Sequence, residues 1–294
     1  MAVKKSNFIA VDWGTSSFRA ALLAPDGEIL GELATPRGIT TFKRGEFAPY
    51  LISTCADMAK EGSGFYLLSG MIGSRNGLLE VPYCPCPAGA EEIAAAVGWV
   101  IPNKIAIVPG LRNGFEDVMR GEESQVLGAA EVLGLGDALM VLPGTHSKWV
   151  SWDDQRITGF NTFMTGEFFA LLKAHYILYK IMGDVDTWDA AAFVQGVDAA
   201  MQGQSLLHTA FSVRVKSLFE QLQPSSAPSY LSGLVIGEEL AAMQVEDGME
   251  VLVIGSQTLC ERYNVALQHL GAHAKTLGNQ AAWAGLYSIY QRLK

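Results

Sequence analysis

Asp12 closes the apolar run Phe8-Ile9-Ala10-Val11 and is followed by a small-residue turn, Gly14-Thr15-Ser16-Ser17, before a second apolar stretch opens at Phe18. An acid held at such a turn, beside backbone N–H groups and short hydroxyls, suits a phosphate and its metal ion. A second turn of the same make-up, Gly144-Thr145-His146-Ser147-Lys148, follows the run "ALMVLP". Neither turn is a P-loop, which needs G-x-x-x-x-G-K-[ST] between a strand and a helix, because Trp149 follows Lys148. Nor does either fit the dinucleotide fingerprint, whose glycines open a helix. These glycines lead back into strands.

Two hairpin turns facing each other across a cleft offer another solution. Backbone N–H groups from Gly14 onward and the hydroxyls of Thr15, Ser16 and Ser17 would grip one end of a triphosphate; Gly144, Thr145, Ser147 and Lys148 would grip the other. Asp12 would hold a magnesium ion through water, since Mg²⁺ keeps much of its hydration and takes few carboxylates.

The elements that must position these turns follow from periodicity. "FIAVDWG" reads as a strand, and "SSFRAALLAPDGEILGELATP" as two more joined at Pro25-Asp26-Gly27. "LISTCADMAKEG" has helical spacing, and "FYLLSGMIGSRNG" is a buried strand running into a glycine-rich loop. "AGAEEIAAAVGWV" predicts a helix, "KIAIVPGL" a strand, and "GEESQVLGAAEVLGL" a helix with two acids in its first turn, where the helix dipole favours them. A second meander spans "ALMVLPGTHSKWVSWDDQRITGFNTF", and "MTGEFFALLKAHYILY" is helical. The pattern stays mostly helical to about residue 248, interrupted at "QPSSAPSY". "MEVLVIGSQTLCERYNVALQHLG" gives strand, Gly-Ser turn and helix, and "NQAAWAGLYSIYQRLK" a closing helix. The halves share one plan, which predicts a duplicated α/β fold with lobes 1–134 and 135–294 and a cleft between them.

The 294 residues are 49% hydrophobic and 17% charged, the signature of a chain with a substantial core. A net charge of −9 without a Lys/Arg cluster argues against a nucleic-acid partner. No apolar run approaches the ~18 residues of a membrane span. "MAVKKSNF" lacks the apolar region and cleavage site of a signal peptide, so a cytoplasmic location is expected. Of Cys55, Cys84, Cys86 and Cys260, only Cys84 and Cys86 lie close, and no second pair or nearby His completes a zinc set. Reduced thiols are the expectation. His269 and His273 flank Gly271 with no Glu to complete a zinc-protease motif, and read as surface residues.

"VDWGTSSFRAALL", "VLPGTHSKWV" and "VLVIGSQT" resemble the phosphate-one, phosphate-two and adenosine motifs of the actin/sugar-kinase/Hsp70 ATPase superfamily. "RGEESQVLGA" and "NQAAWAGL" fall where that superfamily keeps its two connecting helices. Within it, "SGMIGSRNGLLEVPYCPCPAG", "DVMRGEESQVLGA" and "LPGTHSKW" with "FMTGE" resemble the 2-dehydro-3-deoxygalactonokinase family, over essentially the whole chain. The resemblance implies a two-lobed actin/hexokinase-like fold. It also implies phosphoryl transfer from Mg·ATP to 2-dehydro-3-deoxy-D-galactonate, giving the 6-phosphate, with Gly255 and Ser256 on the adenosine side.

In such kinases one carboxylate orients the acceptor hydroxyl and takes its proton. The resemblance puts that acid near the start of the first connecting helix, where Glu122 and Glu123 stand, with Asp117 just before. Adjacent helical residues point about 100° apart, so only one glutamate can face the cleft; Glu122 is narrowly favoured. Arg75 offers a planar fork for the acceptor's carboxylate, alongside Ser74 and Asn76, and Gly70, Gly73 and Gly77 would let the loop backbone approach closely. Arg37, Thr165 and Glu167 are further candidates for the sugar acid's oxygens, whereas His146 needs no catalytic role. The partners expected are ATP and a small sugar acid, and a homodimer is compatible with the sequence.

Two other readings remain open at this level. An exopolyphosphatase-like hydrolase also suits "GEESQ", but an acidic chain would repel a polyanion. A non-catalytic ATP-dependent binding or sensing protein of the same fold would need extra segments for its partner, and the two lobes leave little room for them.

Overall fold

The computed structural model describes residues 6–62, 64–182, 187–278 and 281–294. The chain opens with the predicted meander: β1 (Phe8–Trp13), β2 (Phe18–Leu23) and β3 (Ile29–Thr35). All of β1 is buried but Asp12, as expected of a strand covered on both faces, while β3 at the sheet edge is partly in solvent. Helices α1 (Phe47–Thr54) and α2 (Ala56–Glu61) lead to β4 (Tyr66–Ser69), then β5 (Cys84–Pro85), α3 (Ala90–Ala95), β6 (Gly98–Ile101) and β7 (Ile105–Ile107). A hairpin of β8 (Leu111–Asn113) and β9 (Asp117–Met119) precedes α4 (Glu122–Leu133), which ends on Gly134 in the left-handed conformation.

The second meander is β10 (Ala138–Leu142), β11 (Ser147–Asp153) and β12 (Arg156–Phe163). Helices α5 (Thr165–Ala174), α6 (Tyr176–Met182), α7 (Ala190–Met201), α8 (Leu206–Thr209), α9 (Ser212–Leu218) and α10 (Ala227–Ala242) follow. The chain ends with β13 (Glu250–Ile254), α11 (Gln257–His269), β14 (His273–Leu277) and α12 (Ala281–Arg292).

The larger sheet runs β3-β2-β1-β4-β7-β6 and the second β12-β11-β10-β13-β14. Their first five strands follow the same order, and in each sheet the first strand of the meander is continued by parallel neighbours, β1-β4-β7 and β10-β13-β14, which is the duplication anticipated from the shared plan. The described chain forms two compact units, Met1–Ala138 with Val150–Asn161 and Asn279–Lys294, and Leu139–Trp149 with Thr162–Gly278. This differs from a single break between 134 and 135. The closing helix α12, placed by sequence in the second lobe, packs instead on α4. Glycines make that approach possible: a Cβ on Gly128 would lie 1.7 Å from the Ala281 carbonyl oxygen, and one on Gly285 1.8 Å from that of Ser124. Asn279 and Gln280 of the expected helix lie outside the described residues.

Three local expectations are corrected. The helix predicted through "AVGWV" stops at Ala95, and Gly98–Ile101 forms β6 against β7, because its aromatic and branched residues suit a strand. "QPSSAPSY" is only half an interruption, since α10 begins inside it with Pro228 in the first turn, where a missing N–H does no harm. The three-residue strands β8 and β9, which pair with each other, and β14, which pairs with β13, were not anticipated.

Candidate functional site

The first turn is set by β1 and β2, where Asp12 stands opposite Arg19 in register and pairs with it in a charge-assisted hydrogen bond. The Gly14 N–H donates to the Ser17 carbonyl (2.9 Å), closing the turn and leaving Thr15, Ser16 and Ser17 exposed. The segment after β3 lies directly on it: Ile39 N–H donates to the Gly14 carbonyl (3.0 Å), and the Thr40 hydroxyl to that of Thr15 (2.9 Å). A Cβ at Gly38 would fall 2.1 Å from the Thr15 oxygen, so only glycine permits the contact. This delivers Arg37 beside the turn, its guanidinium over the rings of Phe42 (4.3 Å) and Tyr50 (4.8 Å).

Three chain ends meet around Asp12. Ser69, the last residue of β4, is its parallel neighbour. Gly70 follows with φ +94°, and a Cβ there would lie 2.7 Å from the Trp13 carbonyl and 3.2 Å from Asp12 Oδ1. Gly121, with φ +109°, comes so close that its own Cβ would be 3.2 Å from the Gly70 Cα, bringing the start of α4 to the same place. The close approach of this backbone to Asp12 Oδ1 therefore depends on position 70 having no side chain. A strand-end carboxylate beside a turn of exposed hydroxyls fits a hydrated magnesium ion, although one of its oxygens is here paired with Arg19. Among the described residues there is no cluster of three or more His, Cys, Asp or Glu that could cage a metal, so such an ion would depend on water and phosphate oxygens.

The two glutamates of α4 are told apart by burial. Glu123 is fully buried, its carboxylate accepting from the Gly121 N–H (2.7 Å) and the Ser69 hydroxyl (3.2 Å). Burial and the neighbouring Glu122 charge push its carboxyl up to about 8, against the pull of backbone N–H groups and Arg120. A group so enclosed cannot touch a substrate. Its expected catalytic role is corrected to that of a post holding α4 to β4. Glu122 is partly exposed and accepts from the Arg120 N–H (2.9 Å).

The loop after β4, expected to meet the acceptor, folds on itself. Gly73 and Gly77 are needed for close approach, but to the protein's own atoms: a Cβ at Gly73 would meet Arg120 at 2.8 Å, and one at Gly77 the Ile72 carbonyl at 2.1 Å. Arg75 and Asn76 are exposed, whereas the Ser74 hydroxyl is turned inward. Arg120, which sequence reasoning passed over, is 8% exposed; it donates to the Val81 carbonyl (2.7 Å) and stacks over Tyr83 (4.3 Å). Its signal was faint, one cation ahead of "GEE" in an acidic chain.

In the second unit the turn after β10 exposes Thr145 and His146 but buries Ser147 and Lys148. The Ser147 hydroxyl donates to Glu239 (2.8 Å), so the side chain offered to phosphate is engaged elsewhere. Thr165 and Glu167, expected to meet sugar-acid oxygens, brace this turn instead. The Thr165 hydroxyl donates to Glu239, Glu167 meets His146 Nε2 at 2.6 Å, and the Glu167 N–H donates to the Thr145 carbonyl (3.0 Å). Gly166 seals the contact, since a Cβ there would lie 2.4 Å from the Gly144 oxygen. Gly255 packs near Pro143 at the root of the same turn, its N–H bonded to Leu277 of β14 (3.1 Å), and exposed Ser256 precedes α11. Glu239 was missed, although it falls four residues after Val235 and eight after Leu231, on the apolar stripe of α10.

Comparison with known proteins gives concordant results. A family model described as 2-keto-3-deoxy-galactonokinase matches residues 12–289. The chain is 38% identical over 290 residues, 95% of each chain, to the Rhizobium meliloti (strain 1021) protein named "Probable 2-dehydro-3-deoxygalactonokinase DgoK1". It is 33% identical, over 97% of each chain, to the 2-dehydro-3-deoxygalactonokinase of Escherichia coli (strain K12). A crystal structure from Sinorhizobium meliloti, described as "a putative 2-dehydro-3-deoxygalactonokinase protein", superimposes with a TM-score of 0.88 at 38% identity, covering 96% of this chain and 97% of that one. An activator of 2-hydroxyisocaproyl-CoA dehydratase from Clostridium difficile, solved with bound ADPNP, is similar in fold alone, with a TM-score of 0.52 at 10% identity.

Proposed function

The chain belongs to the 2-keto-3-deoxy-galactonokinase family, and on that premise we propose that it transfers the γ-phosphoryl group of ATP to 2-dehydro-3-deoxy-D-galactonate, yielding the 6-phosphate. The observation that carries the site assignment is the meeting of Asp12, Gly70 and the start of α4 at one end of the sheet. Kinase names among the relatives favour this reading over a hydrolase or a sensor.

Phosphoryl transfer leaves the protein little covalent work, so position and charge decide the rate. Magnesium, when bound, neutralises phosphate charge, and Asp12 would hold its water shell. Gly14–Ser17 and Gly144–Thr145 would bind phosphate oxygens through backbone N–H groups and the exposed hydroxyls, with Gly255 and Ser256 on the adenosine side. Glu122 orients the acceptor hydroxyl and accepts its proton as the oxygen attacks phosphorus. Arg75, exposed on its loop, grips the acceptor's carboxylate bidentately with Asn76 beside it, and Arg37 is held by its aromatic ledge for the same anion.

The test is ADP production with the galactonate derivative, its gluconate epimer, and no acceptor. Turnover dependent on the galactonate derivative is expected. Equal turnover without acceptor would overturn the proposal.

A further inference from the structure

Glu239 lies on α10, 2% exposed, and four donors converge on its two carboxylate oxygens. Oε1 accepts from the Ser147 hydroxyl (2.8 Å) and the Trp149 indole N–H (2.5 Å), both on β11 just after the phosphate-binding turn. Oε2 accepts from the Tyr263 hydroxyl of α11 (2.9 Å) and from the Thr165 hydroxyl at the start of α5. A buried carboxylate is expensive to keep, and an apolar side chain would fill the space at lower cost unless the polar group does something else. Here it ties together three segments bordering one turn. They are β11, which carries the turn onward; α5, whose Gly166 and Glu167 press on Gly144 and Thr145; and α11, which follows Gly255-Ser256.

We propose that Glu239 is a positioning residue for nucleotide binding, one that fixes the Gly144–Ser147 turn and the start of α11 in a single arrangement. The inference rests on the reading of that turn as a phosphate binder. Glu239 touches no substrate. It acts through Ser147, Trp149 and Thr165, so its loss is felt at the nucleotide rather than at the acceptor. Direction of the donors matters more than charge: a glutamine can present its carbonyl to Ser147 and Trp149 and its amide to Thr165 and Tyr263, whose hydroxyls also accept.

The experiment compares Glu239→Leu and Glu239→Gln with the wild type by calorimetric titration with ADP, and by KM for ATP and for the acceptor. All are measured well below each variant's Tm. Glu239→Leu strands buried donors, so the turn must shift, and ADP binding is expected to weaken about tenfold or more. KM for ATP should rise in parallel while that for the acceptor changes less than about threefold. Glu239→Gln should recover most of the lost ADP affinity, which a requirement for buried charge would not permit. If Glu239→Leu does not fold, Thr165→Val, which removes one donor from the hub, should weaken ADP binding by about threefold or more. ADP affinity unchanged in whichever of these variants folds, or both KM values rising equally, would overturn the inference. The ADP titration needs no acceptor. Wild-type protein that binds ADP but phosphorylates nothing would defeat the proposed reaction while leaving Glu239 testable; wild-type protein that binds no ADP would overturn both.

Discussion

Gly121 stands against Gly70, so close that a Cβ on the first would lie 3.2 Å from the Cα of the second. Both have positive φ, +109° and +94°, a conformation that side-chain-bearing residues adopt only under strain. This contact brings Glu122 to the end of the sheet that carries Asp12. Gly121→Ala is therefore expected to lower stability by about 1–3 kcal/mol and, by displacing α4, to reduce kcat at least tenfold or so. Thermal melting together with steady-state kinetics checks both; full activity in a folded variant would separate this contact from catalysis.

Asp12→Asn removes the charge expected to hold the hydrated metal and also weakens the tie to Arg19. We expect kcat to fall by about two orders of magnitude or more with the circular dichroism spectrum unchanged. A variant keeping more than about a tenth of wild-type activity excludes the metal-linked role.

Glu122 and Glu123 separate by two different measurements. Glu122→Gln is expected to lower kcat about 10²–10⁴-fold as the proton acceptor is lost. For Glu123 the readout is stability against pH. Its carboxyl is raised from 4.5 to about 8 in the folded protein, so the native state holds a proton that the unfolded chain has lost across that window. Its contribution is fully present below about 4.5 and is lost as pH rises toward about 8. Urea unfolding between these limits should show a decline that Glu123→Gln flattens. An identical pH slope in the variant would contradict the assignment.

Arg75→Ala should raise KM for the sugar acid at least about tenfold while moving KM for ATP far less, because the exposed guanidinium is assigned to the acceptor alone. Equal effects on both constants would take Arg75 out of the acceptor site.

The turns and strands around Asp12 and Gly144 were legible in the sequence because they are local: a strand's apolar run, a small-residue turn and a returning strand lie within about fifteen consecutive residues. The same locality made the two meanders comparable and so exposed the duplication. It failed for β14, a polar edge strand whose only reason to be extended is its pairing with β13. It found α12 as a helix but not its preference for α4, which is written in Gly128 and Gly285 rather than in its own periodicity.

The candidate site divides along the same line. The sequence alone picks out the segments proposed to bear the chemistry: an acid at a strand end, two glutamates opening a helix, an arginine on a glycine-rich loop. Only the tertiary structure decided what each side chain does there. Glu122 and Glu123 are adjacent and chemically identical, yet one is partly open and the other is sealed against Ser69, 54 residues away. Ser147 and Thr165 look like ligand-binding hydroxyls, but both are spent on Glu239, 92 and 74 residues away. Periodicity shows which face of an element is buried. Which partner a buried polar group finds depends on how distant segments come together, and that pairing is what sorts these residues into chemistry and support.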